Sequence, residues 1–403
     1  MKNDKILATL NCVYKIPIQN NKELDDDVIE LGISFKAQTG LAISREKFLL
    51  LKNDIQEKIT VENLSENFIC KSVQDYLLSE FPNYGIESYN SKIEEINRLK
   101  KIKTNILYQL YNVDLDDNEL ILSIFEMYKP QYFISEHPNP LLYSNINEQN
   151  RVTSDNALHV ILILKDIEMY KEDEFSKNII IEQKVSDFIC FLAVALGNKR
   201  FAQAITTKFS CISNSHHLIN DDYKILTSSM SVSESTYINS RCTLLTDNFS
   251  NVHEKLFNLL SSSKTKIEEK IYKSTLWLGK SLITKNLSDS FLQVAIALEC
   301  LLSRQERGYF IQPSITVTIS ETLAFLIGDN ADERKAYFKQ LKDLYAKRSS
   351  IVHSGNTSID IEVYYDFFNL VKEGIYAMIK LVQENQYTTI NEIYDYIEFL
   401  KFS

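Results

Sequence analysis

From Phe291 to Leu302 the chain reads Phe-Leu-Gln-Val-Ala-Ile-Ala-Leu-Glu-Cys-Leu-Leu, twelve residues with one charge. A helix that is hydrophobic nearly all round has to be buried on all sides, and this one is too short to span a bilayer. It therefore demands other helices to cover it. The flanking sequence offers them: 251–262, 265–285, 288–303, 317–328, 332–353 and 359–384 each carry helical spacing of apolar residues, with short connections. Ser358 or Asp360 is placed to cap the 359–384 helix, and Gly355 to close the one before it. Residues 251–403 are thus expected to form an all-helical domain with antiparallel neighbours and a C-terminal helical tail.

The first 250 residues read differently. Ile6, Ala8, Leu10, Cys12 and Tyr14 alternate with mostly polar partners, which predicts strand character over 5–19. Residues 28–36 are strand-like too, and pair with that stretch across the acidic link at Asp25–Asp27. From 61 to 135 the spacing predicts helices, with Leu64, Phe68, Ser72, Val73, Tyr76 and Leu77 on one side; the Lys/Glu-rich 91–103 reads as a solvated helix face. Val160–Leu164 reads as a buried strand, 185–197 as a buried helix, and the Ser/Thr-rich 205–246 as strand pieces. The expected fold class is α+β overall: a mixed α/β domain over 1–250, then the helical bundle.

The composition sets limits on function. A chain of 403 residues with 44% apolar and 24% charged side chains suits two globular domains rather than disorder. The formal charge of -10 argues against a protein that coats nucleic acid, since phosphate neutralisation supplies most of such affinity. It leaves room for an enzyme with a small positive pocket. Cys12, Cys70, Cys190, Cys211, Cys242 and Cys300 form no CxxC and several sit in apolar runs, the pattern of reduced, buried thiols. The first residues lack a signal peptide's apolar region, so a soluble, cytoplasmic protein with no membrane contact is expected. Cys211, His216, His217 and Cys242 match no common zinc spacing; His137, before Pro138, reads as a loop residue and His159 as a core or edge histidine, and neither metal nor cofactor is expected.

Chemistry concentrates in the helix ending near 353. At about 100° per residue, Leu341, Tyr345, Arg348 and Val352 share one stripe, so an arginine occupies a core-facing position. Arginine is almost never buried without an anionic partner. Either it pairs with a carboxylate, for which Glu299 is the obvious candidate, or it lines a pocket that receives a phosphate. His353 lies five residues on, about 140° round an ideal helix. The two converge only if the chain turns at Ser354-Gly355, or across a two-fold dimer.

Three segments together resemble an Apea-like HEPN domain. Leu-Tyr-Ala-Lys-Arg-Ser-Ser-Ile-Val-His-Ser-Gly (344–355) is similar to the family's Arg-x4–6-His signature. Ala295–Leu302 is similar to its buried helix with a Leu-Glu pair, and Trp277–Leu282 to the helix that precedes it. The order and helical context of the three carry the resemblance, which covers about residues 265–385.

What the resemblance implies is a dimerising helical bundle whose active members cleave RNA without metal. Two Arg/His pairs would meet in one cleft. His353 would serve as general base or acid, Arg348 would hold the scissile phosphate, and Glu299 would orient Arg348. The products would be a 2′,3′-cyclic phosphate and a 5′-hydroxyl, in a toxin-like or antiviral role. Ser349 stands where many active relatives carry Asn, Asp or His, yet can still donate a hydrogen bond. Gly355 stands where relatives controlled by tyrosine modification carry that tyrosine. Two other readings stay open: a non-catalytic dimer that binds RNA or nucleotide or holds an assembly together, and an unrecognised catalytic function in the first 250 residues. That region is otherwise expected to sense, bind or restrain a partner of unknown identity.

Overall fold

The computed structural model describes residues 2–16, 27–34, 39–111, 113–137, 159–170, 172–206, 214–219, 225–231, 242–244, 249–261, 263–304, 315–354 and 358–402. In chain order the elements are α1 (Lys2–Leu10), β1 (Tyr14–Ile16), β2 (Val28–Ser34), β3 (Thr39–Ser44), α2 (Arg45–Lys58), α3 (Glu66–Glu80) and α4 (Ile86–Asn97). Then come β4 (Lys101–Tyr111), β5 (Val113–Leu115), β6 (Glu119–Leu122), β7 (Phe125–Tyr128), α5 (Pro130–Glu136), β8 (His159–Tyr170), α6 (Glu174–Leu196) and α7 (Lys199–Thr206). Next are β9 (Asn214–Ile219), β10 (Ile225–Ser231), β11 (Cys242–Leu244), α8 (Asn251–Asn258), α9 (Lys266–Ile283) and α10 (Leu287–Leu302). The chain ends with α11 (Ile315–Ile327), α12 (Ala331–Ser354), α13 (Ile361–Asn385) and α14 (Ile390–Phe402). The fold is α+β. Residues 1–103 with 167–182 form one compact unit, and 104–166 with 183–403 form another.

In the first unit β3 lies between β1 and β2, antiparallel to both. Its Leu41, Ala42 and Ile43 are fully buried, and Leu10, Leu51, Ile55, Leu77 and Tyr89 complete the core. Of the strand expected over 5–19, Tyr14–Ile16 is present as β1, but 5–10 is helical, because Ile6 and Leu10 sit one turn apart as well as at alternate positions; residues 17–19 lie outside the described residues. The pairing expected between that stretch and 28–36 is replaced by pairing of both to β3. One buried carboxylate ties two helix starts together. Asp173 accepts the Ser65 amide and hydroxyl at 2.7 Å each and the Ser176 amide at 3.0 Å, at the starts of α3 and α6. Burial alone would raise its pKa, but these donors outweigh it and hold the carboxyl below its usual range.

The second unit carries a six-stranded sheet in the order β10-β9-β4-β8-β7-β6, and β5 pairs with β11 in parallel. Helices were expected throughout 61–135, and that holds for α3, α4 and α5 but not between them, where residues 101–128 are almost all strand. Ile106, Leu107, Phe125 and Met127 are all fully buried. Strands covered on both faces lose the alternation that would have identified them. The buried strand at 160–164 and the buried helix at 185–197 are present as β8 and α6.

All six helices expected after residue 250 are present, followed by α14. Phe291 of α10 packs on Phe367 of α13 with ring centres 5.0 Å apart, and the Ser281 hydroxyl of α9 meets the Tyr364 hydroxyl of α13 at 3.0 Å. Three lysines stitch helix C-termini. Lys199 donates to the carbonyl of Ser281 at 2.8 Å and to the Ser290 hydroxyl at 2.7 Å, Lys270 to the Ser303 carbonyl at 2.7 Å, and Lys372 to the Ala195 carbonyl at 3.1 Å. An ammonium at a helix C-terminus satisfies orphan carbonyls and complements the dipole. Burial lowers the pKa of all three, that of Lys199 to about 8. All four described thiols, Cys12, Cys70, Cys190 and Cys300, are free; Cys190, in its apolar run, is buried, Cys70 and Cys300 are partly buried, and Cys12 is exposed, against the expected burial. No helix among the described residues is long and apolar enough to cross a membrane.

Candidate functional site

The one charge in the apolar run Phe291–Leu302 of α10 finds the partner that electrostatics required. Glu299 Oε1 and Arg348 Nη2 are 3.4 Å apart, linking α10 to α12. Each side chain is about one-third exposed, at 31% and 33%, so the pair is neither sealed in the core nor free in solvent. Ion pairs this open contribute at most about 1 kcal/mol. The carboxylate therefore positions the guanidinium more than it stabilises the bundle.

α12 buries Leu341, Leu344, Tyr345 and Ile351. The apolar stripe expected to run through Val352 ends sooner: Val352 is half exposed, and Ile351 takes the buried place in the last turn. Tyr345, one turn before Arg348, is 6% exposed, and its hydroxyl has no hydrogen-bond partner. Burial raises its pKa, the Glu299 carboxylate raises it further, and Arg348 opposes both. An apolar-ringed phenol thus lies within the field of the ion pair without joining it. On the α10 side, Cys300 is half-buried beside Glu299; burial raises its thiol pKa and nearby Lys270 counteracts this.

His353 is exposed in the final turn, and Ser349 is exposed one turn earlier. The helix continues through Ser354, so no turn swings His353 back toward Arg348. Five residues apart on one helix, the two side chains leave the axis about 140° apart. Within one chain the site is Arg348 with Glu299 on one side of α12, and His353 with Ser349 on the other. Lys335, Lys339 and Lys342 are exposed upstream of Ser349 and His353; their three- and four-residue spacing is the sequence signal for them, weaker than the apolar side of the same helix.

The remaining candidates do not assemble. Cys211 lies outside the described residues, and no cluster of three or more His, Cys, Asp or Glu among those described is placed to hold a metal. His137 packs against Phe133 with ring centres 4.8 Å apart, and burial lowers its pKa. In the first unit a cleft of about 170 Å³ is lined by Lys71, Lys92, Asp75, Glu95 and Glu172, with Phe68 and Phe175 beside them. Ser72 also lines it, and both signs of charge meet there without a histidine or cysteine. No family model, curated protein or solved structure matches the chain.

Proposed function

We propose that this chain is a metal-independent endoribonuclease of the HEPN type, with Arg348 and His353 as its catalytic residues. The observation that carries this is the setting of Arg348: a guanidinium held by Glu299 at 3.4 Å, still open to solvent, on the same helix as an exposed histidine five residues on. The fork of donors on Arg348 suits the non-bridging oxygens of a phosphate, and would stabilise the charge that grows there as the 2′-oxygen attacks. His353, of a residue type that gains and loses a proton near neutral pH, would take the 2′-hydroxyl proton or return one to the leaving 5′-oxygen. Ser349, exposed on the His353 side, can donate a hydrogen bond to the same phosphate. The products would be a 2′,3′-cyclic phosphate and a 5′-hydroxyl.

The geometry of α12 adds a requirement. Because Arg348 and His353 leave the helix on different sides, the reading needs two copies of the chain to bring the arginine and histidine to one phosphate. Val352 and Ile361, both half exposed at the end of α12 and the start of α13, offer apolar area for such a contact. A toxin-like or antiviral role, restrained by the first 250 residues, fits an enzyme of this kind.

One observation favours a second reading. Glu299 already neutralises Arg348, as suits a non-catalytic dimer that binds RNA or nucleotide, or that holds an assembly together. The deciding experiment is incubation of total RNA with purified protein in EDTA, wild type beside Arg348→Ala and His353→Ala, with mapping of the product ends. Cyclic-phosphate ends that vanish in both variants support the ribonuclease. Cleavage that persists in both variants excludes it, and absence of cleavage together with absence of His353-dependent toxicity on expression puts the binding dimer first.

A further inference from the structure

The C-terminal seven-eighths of α12 is the most basic helical stretch among the described helices of the bundle. From Arg334 to Ser354 it holds six Lys or Arg residues and a single acid, Asp343, in a protein whose formal charge is -10. Their placement is more telling than their number. Lys335, Lys339, Lys342, Ala346, Ser349 and His353 follow one another at four-, three-, four-, three- and four-residue steps, and all six are exposed. At about 100° per residue they fall within about 80° of arc, forming one straight file that ends on His353.

Local ion pairing does not account for this file. Lys335 has Asp332 at 3.7 Å, but both side chains are at least 80% exposed, where such a pair is worth little. Neither Lys339 nor Lys342 has a carboxylate within ion-pair distance among the described residues; Lys342 instead lies over the Phe338 ring at 5.6 Å. Asp343 borders the file without pairing to it. By contrast, Lys199, Lys270 and Lys372 of the same unit are spent on backbone carbonyls. At 1.5 Å per residue the file is about 27 Å long. That exceeds any mononucleotide and, at about 3.4 Å per stacked nucleotide, matches about eight successive phosphates.

We infer that Lys335, Lys339 and Lys342 form a track for the phosphate backbone of an RNA strand, leading it along α12 to Ser349 and His353. The identity of the strand as RNA rests on the ribonuclease reading; the track itself rests on the placement of the lysines. It makes the preferred substrate a polynucleotide with several nucleotides on one side of the scissile bond. It also reconciles an acidic protein with a nucleic-acid substrate, because the positive charge is confined to one line.

The test is binding of a fluorescent single-stranded RNA of about 20 nucleotides to the full chain. The protein carries His353→Ala to prevent cleavage, with and without Lys335→Gln, Lys339→Gln and Lys342→Gln together, and salt is varied. Each backbone contact to a single strand contributes about 0.7 to the slope of log affinity against log salt. The triple variant should therefore lose about 2 from the slope and bind roughly tenfold more weakly at low salt. An unchanged slope and affinity would overturn the track, as would equal binding of polyglutamate of the same charge, which would mark a site for acidic protein segments. Cleavage of total RNA by unmodified protein is scored separately. Lysine-dependent binding with neither cleavage nor His353-dependent toxicity keeps the track and removes the nuclease; cleavage by wild type with lysine-independent binding does the reverse. Matching thermal melts of parent and triple variant confirm that these exposed substitutions leave the fold intact.

Discussion

Gly279 on α9 lies directly against the backbone of Cys190 on α6: a Cβ at position 279 would stand 2.4 Å from the Cys190 carbonyl oxygen and 2.6 Å from its Cα. Backbone cannot move aside as a flexible side-chain end can, so the two helices meet here only because residue 279 lacks a side chain. Gly279→Ala should destabilise the protein by about 1–3 kcal/mol despite alanine's better helix propensity. A fall in urea midpoint checks this; no fall would mean that the crossing is looser than the contact implies.

The Tyr345 hydroxyl is buried without a partner, whereas the equally buried Tyr364 hydroxyl meets Ser281 at 3.0 Å. Removing an unsatisfied polar atom costs nothing and removing a satisfied one costs about 1 kcal/mol. Tyr345→Phe should thus leave stability unchanged or raise it slightly, while Tyr364→Phe should lower it. Thermal melts of the two variants give the comparison directly. If Tyr345→Phe is the more damaging, its hydroxyl has a role at the Arg348–Glu299 pair that packing does not explain.

Because Arg348 and Glu299 are each about one-third exposed, Arg348→Gln and Glu299→Gln should each cost no more than about 1 kcal/mol. Circular dichroism melts within a few degrees of wild type are the expected result. Loss of RNA cleavage in such variants would then report on chemistry. A collapse of the fold in either would show the pair to be structural.

His253 predicts a pH dependence. Its Nδ1 accepts from the Ser250 amide at 3.0 Å at the start of α8, and its Nε2 lies 3.1 Å from the Tyr376 hydroxyl. Burial lowers its pKa and the Lys372 charge lowers it further. A group whose folded pKa lies below its unfolded value, near 6.5, binds fewer protons when folded. Its contribution is therefore full above about pH 6.5 and is lost as pH falls through the folded pKa. The stability difference between wild type and His253→Asn, measured in urea from pH 7.5 down to 5, should shrink as pH falls. A constant difference would contradict the assignment.

The helical half was readable because its apolar residues repeat at the helical period over long stretches, and a single carboxylate in the apolar run 291–302 leaves few choices of partner. Glu299 named Arg348 before any coordinates did. The first half resisted for two physical reasons. Strands such as β4 and β7, buried on both faces, carry no alternation to detect, and α1 places Ile6 and Leu10 at positions compatible with either period. Long-range choices were also hidden: nothing local in Thr39–Ser44 announces that it will lie between β1 and β2. The file on α12 was visible as spacing but was overshadowed by the apolar stripe on the opposite side.

The bundle uses lysine in two opposed ways. Lys199, Lys270 and Lys372 are half-buried on helix-end carbonyls, where dissolved ions scarcely reach them. Lys335, Lys339 and Lys342 stand in water, where the Debye length shortens from about 30 Å at 0.01 M to about 3 Å at 1 M salt. Ionic strength therefore acts as a dial on the outward-facing set and far less on the half-buried one, so added salt separates the protein's dealings with charged partners from the ties that hold its helix ends.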